Sequence, residues 1–188
     1  MGAIAGYLYY GNIRFCCVES GSITVKSYHN SWVGGIAGFS AGGEVYISDN
    51  NGVTVTGSGD VGGIVGCNSL SSTVNLCYNY GQVNYQYMTD NGNAGGIVGR
   101  NGISASITSC TNFGLVKYDS ASSDNKELAP RMGQIVGYNY DSATFTNNKC
   151  SGSTNYDNLK TKVGGFLGIG AKNQRVYCST GECGLNEA

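Results

Sequence analysis

The chain has 188 residues, enough for one domain with a sizeable core, and 31 of them are glycine while only one is proline. Its 11 basic and 12 acidic residues nearly cancel, which excludes the basic surface that attracts nucleic acids and anionic membranes. No apolar run is long enough for a helix that crosses a bilayer, and glycine lacks the three-residue period of collagen.

The chain opens with MGAIAGYLYYGNIRF, in which no basic segment precedes an apolar one. This stretch therefore differs from a secretory signal peptide, which has that order. It looks instead like the middle of a repeat unit. We expect the chain to be a fragment of a larger protein.

A glycine element starts at residue 2 and returns along the chain, with 28 to 38 residues between the starts of successive copies. A repeat of this length indicates a stacked architecture, because one short unit cannot bury its own apolar face. The copies are GAIAG at Gly2, GGIAG at Gly34, GGIVG at Gly62 and Gly95, GQIVG at Gly133 and GGFLG at Gly164.

A second element begins 14 or 15 residues after each of the first four copies. It reads CVESGSI at Cys17, SDNNGVT at Ser48, CYNYGQV at Cys77 and CTNFGLV at Cys110. A fifth copy, NKCSGST at Asn148, is blurred, and a sixth is hardly recognisable. Degenerate outer copies are typical of end coils, which face solvent on one side.

The segments between these elements, such as EVYIS, TVNLC and QVNYQY, alternate over short runs and are rich in β-branched and aromatic residues. We predict an all-β fold, a single parallel β-solenoid over residues 1–188 with about six coils and about three short strands in each. The coils would start near residues 2, 34, 62, 95, 133 and 164, and the last would be a degenerate cap. A β-propeller or a sandwich of hairpins is the alternative, although propeller repeats are usually longer.

The repeat resembles the GLUG-motif family, which is named for a Gly-Leu-aliphatic-Gly core. GGIVG and GGFLG match that core with Ile or Phe in place of Leu, and CYNYGQV and CTNFGLV are similar to the family's Cys-x-Asn-x-Gly-x-Val segment. Such repeats occur as β-helical parts of bacterial surface adhesins and of some immunoglobulin A1-cleaving metallopeptidases. The resemblance implies a structural repeat in an extracellular or cell-surface protein, and it carries no catalytic residue onto this chain.

Asparagines share one position of the second element. Asn50, Asn79 and Asn112 are therefore predicted to stack as a ladder, with each side-chain amide bonded to its neighbours along the axis. In the same element, Asn is able to bond neighbouring backbone and Gly accepts a positive φ, so the Asn-x-Gly pair also predicts a corner.

Cysteines share another position of that element, with Ser48 in the same register. We predict a column of small, semi-buried side chains formed by Cys17, Cys77 and Cys110. Cys178 and Cys183 flank STGE near the end of the chain. The sequence leaves open whether these two close the terminal coil as a disulfide.

Catalytic and metal-binding patterns are sparse. His29 is the only histidine, so a His-Glu-x-x-His zinc site cannot form. The acidic residues lie mostly in variable loops, where neither paired catalytic carboxylates nor a repeated calcium-binding signature is present. We predict a protein that is not an enzyme and that uses no metal and no cofactor.

Aromatic residues are in excess, with 14 tyrosines. Tyr80 and Phe113 occupy the same position of the repeat, and three further tyrosines follow on the next strand: Tyr85, Tyr87 and Tyr118. In a solenoid, equivalent positions form a stripe, which is a candidate face for sugars or a protein partner. The alternative is that these rings cover corners or pack beneath long loops.

These features predict a structural, adhesin-type module of a secreted or cell-surface microbial protein. One alternative is a module that binds host or matrix glycans or proteins through the aromatic stripe. Another is a fibre subunit that stacks end to end, because the open ends of a solenoid carry unpaired strand edges. Nucleic-acid binding and membrane insertion are not expected.

Overall fold

The computed structural model describes residues 1–26, 31–86, 92–118 and 131–151, together with the backbone of four short strands beyond them. All the regular elements in this part of the chain are β-strands. The strands stack in parallel sheets, so the predicted all-β parallel solenoid is confirmed.

The first coil contains four strands, β1 (Ala5–Tyr9), β2 (Asn12–Arg14), β3 (Cys17–Val18) and β4 (Ser22–Thr24). The later coils add a strand before the equivalent of β1. The second coil contains β5 (Ser31–Gly34), β6 (Ala37–Ala41), β7 (Glu44–Tyr46), β8 (Asp49–Asn50) and β9 (Thr54–Gly57), and the third contains β10 (Gly59–Gly62), β11 (Val65–Ser69), β12 (Thr73–Asn75), β13 (Tyr78–Asn79) and β14 (Val83–Tyr85). The fourth coil contains β15 (Asn93–Gly95), β16 (Val98–Asn101), β17 (Ser106–Thr108), β18 (Thr111–Asn112) and β19 (Val116–Tyr118). The fifth contains β20 (Arg131–Gly133), β21 (Val136–Asn139), β22 (Thr144–Thr146), β23 (Lys149–Cys150) and β24 (Thr154–Tyr156). Beyond them lie β25 (Leu167–Gly170), β26 (Tyr177–Cys178) and β27 (Gly181–Glu182).

Equivalent strands of successive coils pair side by side and give the solenoid five faces, which we number in chain order within a coil. Face 1 has the order β20-β15-β10-β5, and face 2 has the order β1-β6-β11-β16-β21-β25. The other three faces are five-stranded: β2-β7-β12-β17-β22 (face 3), β23-β18-β13-β8-β3 (face 4) and β24-β19-β14-β9-β4 (face 5). β26 and β27 pair with each other in antiparallel fashion and lie outside this scheme.

Two predicted numbers were wrong. Each complete coil has five strands rather than about three, because strands of two residues, such as β8 and β13, are too short to show alternation. In the described part of the chain, coils with all five strands number fewer than the six expected, since face 1 has only four strands.

The apolar interior is divided into two clusters, which we call lobes. Lobe one collects the inward side chains of faces 2, 3 and 4, including Ile64, Val65, Val74 and Cys77. Lobe two collects those of faces 5 and 1: Val33, Val53, Val55, Val61, Val83, Tyr85, Ala94, Val116, Tyr118 and Met132. Each lobe is filled by columns in which one buried side chain stacks on the next, so coil stacking itself removes the apolar surface from water.

The glycine element forms the bend between faces 1 and 2, and this bend points inward between the lobes. A Cβ placed on Gly62 would lie 2.0 Å from the Val65 carbonyl oxygen, and one on Gly66 would lie 2.4 Å from the Val33 nitrogen. A Cβ on Gly63 would lie 2.4 Å from Cγ of Asn79 on face 4. All three glycines of the element are therefore required by close backbone or side-chain packing.

Candidate functional site

The predicted asparagine column lies where the inward bend meets face 4. Asn50, Asn79 and Asn112 are adjacent in the pairing of β8, β13 and β18, and all three are fully buried. Asn79 Nδ2 donates to Asn112 Oδ1 at 2.8 Å and to the Gly81 carbonyl at 2.9 Å. Asn50 differs, because its Nδ2 donates to the carbonyl oxygens of Val53 and Gly63.

The two repeat elements are thus in direct contact across the interior. Each asparagine in this column needs the second glycine of the bend, since Gly35, Gly63 and Gly96 leave the space that its amide fills. In return, the amide satisfies backbone groups that the tight corner would leave unpaired in the core. The contact between Asn and Gly is what couples the two elements in the three coils that contain Asn50, Asn79 and Asn112.

The next coil uses a different pair of residues in the same place. Cys150 takes the asparagine position on face 4, and Gln134 replaces the second glycine of the bend. The Gln134 side chain reaches the column from the opposite side, and its Oε1 accepts a hydrogen bond of 2.8 Å from Asn112 Nδ2. The amide has therefore moved from one repeat element to the other, while the smaller Cys150 makes room for it.

A second asparagine ladder, on face 2, was not predicted. Asn68 Nδ2 donates to Asn101 Oδ1 at 2.9 Å, and Asn101 Nδ2 donates to Asn139 Oδ1 at 2.8 Å. All three are buried on the inner side of the corner between faces 2 and 3. The signal in the sequence was the asparagine two residues after the last glycine of the bend, in GCN, GRN and GYN.

The predicted cysteine column was wrong for Cys17. Cys17 pairs with Asp49 on the outer side of face 4 and is exposed, whereas Cys16 approaches Ser48 and occupies the inward register. Cys77 and Cys110 do stack in the core, where the Cys77 backbone N–H donates to Cys110 Sγ. The two adjacent cysteines at 16 and 17 made the register ambiguous by one residue, and one residue changes the face.

Burial makes several of the described thiols weaker acids than a free thiol. Burial raises the pKa of Cys67 to about 12 and that of Cys150 to about 11. Burial also raises the pKa of Cys110, with the neighbouring Cys77 thiol as a further cause. The side chain of Cys178, with Cys183 and His29, lies outside the described residues, and so does the disulfide between Cys178 and Cys183 that the sequence leaves open.

The predicted aromatic face is divided between surface and core. Tyr80 and Phe113 are exposed and lie on a corner with parallel rings, whose centroids are 4.7 Å apart. Tyr85 and Tyr118 were wrongly placed on this face, because they point inward beside Val83 and Val116 and are almost completely buried in lobe two. Tyr87 lies outside the described residues.

The stacking of Tyr80 on Phe113 limits what this pair does at the surface. The rings face each other along the solenoid axis at an interplanar angle of 5°. Each ring therefore covers one face of the other, which leaves at most one face of each ring for a ligand. Because the two rings belong to successive coils, the pair is also a stabilising contact between coils.

On the outside of the inward bend, the outer side chains of faces 1 and 2 approach each other in what we call the cleft. Arg100 Nε donates to Asp60 Oδ2 at 2.9 Å, and Asn93 Nδ2 donates to Asp60 Oδ1 at 2.6 Å. The Trp32 and Phe39 ring centroids are 4.4 Å apart. The sequence did not indicate the cleft, because its side chains differ from coil to coil.

Asp60 is only 5% exposed, which is unusual for a carboxylate. Burial raises its pKa above the ordinary value, while Arg100 and the hydrogen bonds from Asn93 and Trp32 act in the opposite direction. Burial opposes the charged form of Arg100, but Asp60 and Cys67 more than offset it and the pKa of Arg100 is raised. The Asp60 carboxylate and the Arg100 guanidinium therefore stabilise each other's charged form in surroundings of low polarity.

Over the described residues, no group of three or more His, Cys, Asp or Glu side chains is arranged to hold a metal ion. In the same part of the chain, no helix has the length and apolar character that a membrane crossing requires. No family model matches this chain, and neither a curated protein nor a solved structure matches it.

Proposed function

We propose that this chain is a non-catalytic structural module, a stiff stacked segment that spaces or displays other parts of a larger protein. The observation that carries the proposal is the continuity of buried columns through successive coils. Asn68, Asn101 and Asn139 form one such column, and hydrogen bonds tie each coil to the next. A stack of this kind keeps its length because every coil is fixed in register by the one before it.

The surroundings of such a module would be extracellular or at the cell surface of a microbe. The resemblance of the glycine element to the GLUG motif supports this setting. The low, balanced charge is compatible with it, since a surface module of this type has no need to attract nucleic acid.

A second candidate function is recognition of a glycan or protein, and the exposed Tyr80 and Phe113 rings favour it. Tyr80 is 50% exposed and Phe113 is 43% exposed, so the pair forms an apolar patch on the corner between faces 4 and 5. Large aromatic side chains are common anchors at protein interfaces. We rank this function second because one face of each ring is already covered.

One experiment separates the two candidates. The purified chain and a Tyr80→Ala/Phe113→Ala variant are applied to a panel of glycans and extracellular-matrix proteins. A structural module predicts no saturable binding by either protein. Saturable binding that the variant loses, while its thermal unfolding is still cooperative, would overturn the structural role and locate a recognition face. The matched control is Tyr9→Ala, which removes a ring that is 63% exposed elsewhere on the surface.

A further inference from the structure

A cavity of about 260 Å³ lies on the outer side of face 2, beside the cleft. Phe39 and Cys67 bound it together with Arg100 and Tyr140. Leu70 and Ile103 project beside it from two neighbouring turns and are 49% and 54% exposed. Phe39, Ala41 and Cys67 form a small buried apolar cluster of their own on this side of the sheet. The cavity therefore has a preformed apolar floor and exposed apolar rims.

One wall of this cavity carries a cation. Arg100 uses Nε to bond Asp60, and its guanidinium also contacts Cys67. A guanidinium has five N–H donors, so some of them are left for the cavity that the side chain lines. Nearby on face 1, Arg131 lies over the Tyr138 ring at 4.5 Å. Among the described side chains of the cleft, two guanidiniums therefore accompany one carboxylate, which favours an anionic ligand.

We propose that this cavity binds a small carboxylate with an apolar body, such as an arylacetate, whose carboxylate is held by Arg100. The apolar body would rest on Phe39 and between Leu70 and Ile103. The volume is slightly below the about 300 Å³ at which ordinary ligand pockets begin, so one ring or one branched chain is the size that fits. A planar guanidinium suits a carboxylate because it is able to donate two parallel hydrogen bonds.

The test uses phenylacetate as the probe and phenylacetamide as its neutral counterpart of the same shape. Binding is followed by calorimetry and by the fluorescence of Trp32, the only tryptophan, whose ring contacts Phe39 of the cavity wall. We expect saturable binding of phenylacetate with a dissociation constant of about 1 mM or tighter. Phenylacetamide and acetate should each bind at least about tenfold more weakly, because each lacks one of the two required features.

Two variants locate the site. Arg100→Gln removes the cation and should weaken phenylacetate binding about tenfold or more. Since this change also leaves Asp60 without its ionic partner, Ile103→Asp is the second variant: its side chain is exposed, so folding is preserved, and its carboxylate should repel the ligand. Phe15→Ala removes a ring that is 73% exposed on the corner between faces 3 and 4; it is the control and should bind as the unaltered chain does.

Three results would overturn the proposal. The first is the absence of saturable phenylacetate binding at tens of millimolar. The second is equal binding of phenylacetate and phenylacetamide, which would make the cavity a purely apolar one. The third is unchanged binding by folded Arg100→Gln and Ile103→Asp, which would place the ligand elsewhere. None of these results bears on the structural role, because the cavity lies on the outer side of face 2, whereas the asparagine column of that face lies on the inner side.

Discussion

At the scale of single residues, Asp60 shows how a side chain on the outer side of a sheet becomes buried. Its strand is β10, in which Val61 points into lobe two and Asp60 points away from it. Because faces 1 and 2 fold toward each other at the inward bend, that outer side is covered by Arg100, Asn93 and Trp32. The charge is stabilised by three donors and destabilised by burial, and burial is the stronger effect.

This balance gives stability a definite pH dependence. A carboxyl whose pKa is raised above 3.8 in the folded state binds more protons there than in the unfolded chain. The contribution of Asp60 to the free energy of unfolding therefore falls as pH rises through the folded pKa. We predict that the free energy of unfolding of the unaltered chain, minus that of Asp60→Asn, decreases as the pH rises from 3.8, the ordinary pKa, through the raised pKa of the folded state.

Urea unfolding of both proteins across that range measures the difference directly. Subtracting the variant removes the titration of the remaining acids, including Asp49, whose pKa burial also raises. If the difference grew with pH instead, the guanidinium of Arg100 would outweigh burial, and the pKa of Asp60 would be lowered in the folded protein.

A residue's column in the stack could be predicted from the sequence where its position in the repeat was unambiguous. Asn79 and Asn112 stand alone between different neighbours, so their shared column could be predicted. Cys16 and Cys17 are adjacent and chemically identical, and the sequence could not decide between them. The predicted stripe includes Tyr85 because it follows Tyr80 on the next strand, but its alternation with Val83 fixes it on the inner side.

At the scale of repeat elements, the contact between the glycine bend and the asparagine corner explains why the two recur together. The pair Gln134 and Cys150 is the informative exception. Gln134 supplies the acceptor for Asn112 that the column lacks at Cys150. If the side chains at positions 134 and 150 fill one space, a substitution at one position should alter the effect that a substitution at the other has on stability.

We predict a favourable coupling between Gln134→Gly and Cys150→Asn. Cys150→Asn alone crowds a second amide against Gln134, and Gln134→Gly alone leaves Asn112 Nδ2 short of an acceptor; each should destabilise the chain by about 1 to 3 kcal/mol. The double change recreates the Gly and Asn pair of the preceding coils. It should be more stable than the sum of the single effects by about 1 kcal/mol or more.

Chemical unfolding of the four proteins of this cycle measures the coupling. A control cycle pairs Gln134→Gly with Tyr9→Ala, an exposed ring in the first coil, and should be additive. If the Gln134 and Cys150 effects also added within about 0.5 kcal/mol, the two positions would act independently and the exchange between elements would be coincidental.

A structural element could be predicted from the sequence where its residues recur at a regular spacing. The glycine bend and the Asn-x-Gly corner recur with near-constant spacing and gave the stacked parallel architecture. The strand count could not be obtained in this way, because the strands of face 4 have only two residues each. They exist as strands through pairing with neighbouring coils, and a single coil contains no trace of that pairing.

At the scale of the whole molecule, the two lobes and the cleft come from one feature, the inward bend. The bend divides the interior, brings Gly63 against Asn79, and leaves an outer concavity that Asp60 and Arg100 fill. The sequence could not indicate the cleft, because an inward bend and an outward bend have the same glycine pattern. The cleft is concave because strands of faces 1 and 2 that are adjacent in the chain contact each other across the bend.

A structural module is defined mechanically by holding its length under tension, and pulling on the chain from its two ends with optical tweezers tests this most directly. Each coil contacts only its neighbours, so we predict that the stack yields one coil at a time, in extension steps of roughly 100 to 130 Å. The reference is a flexible Gly/Ser linker of equal length, which extends smoothly. Smooth extension of this chain as well would show that the coils do not resist tension, and it would contradict the proposed structural role.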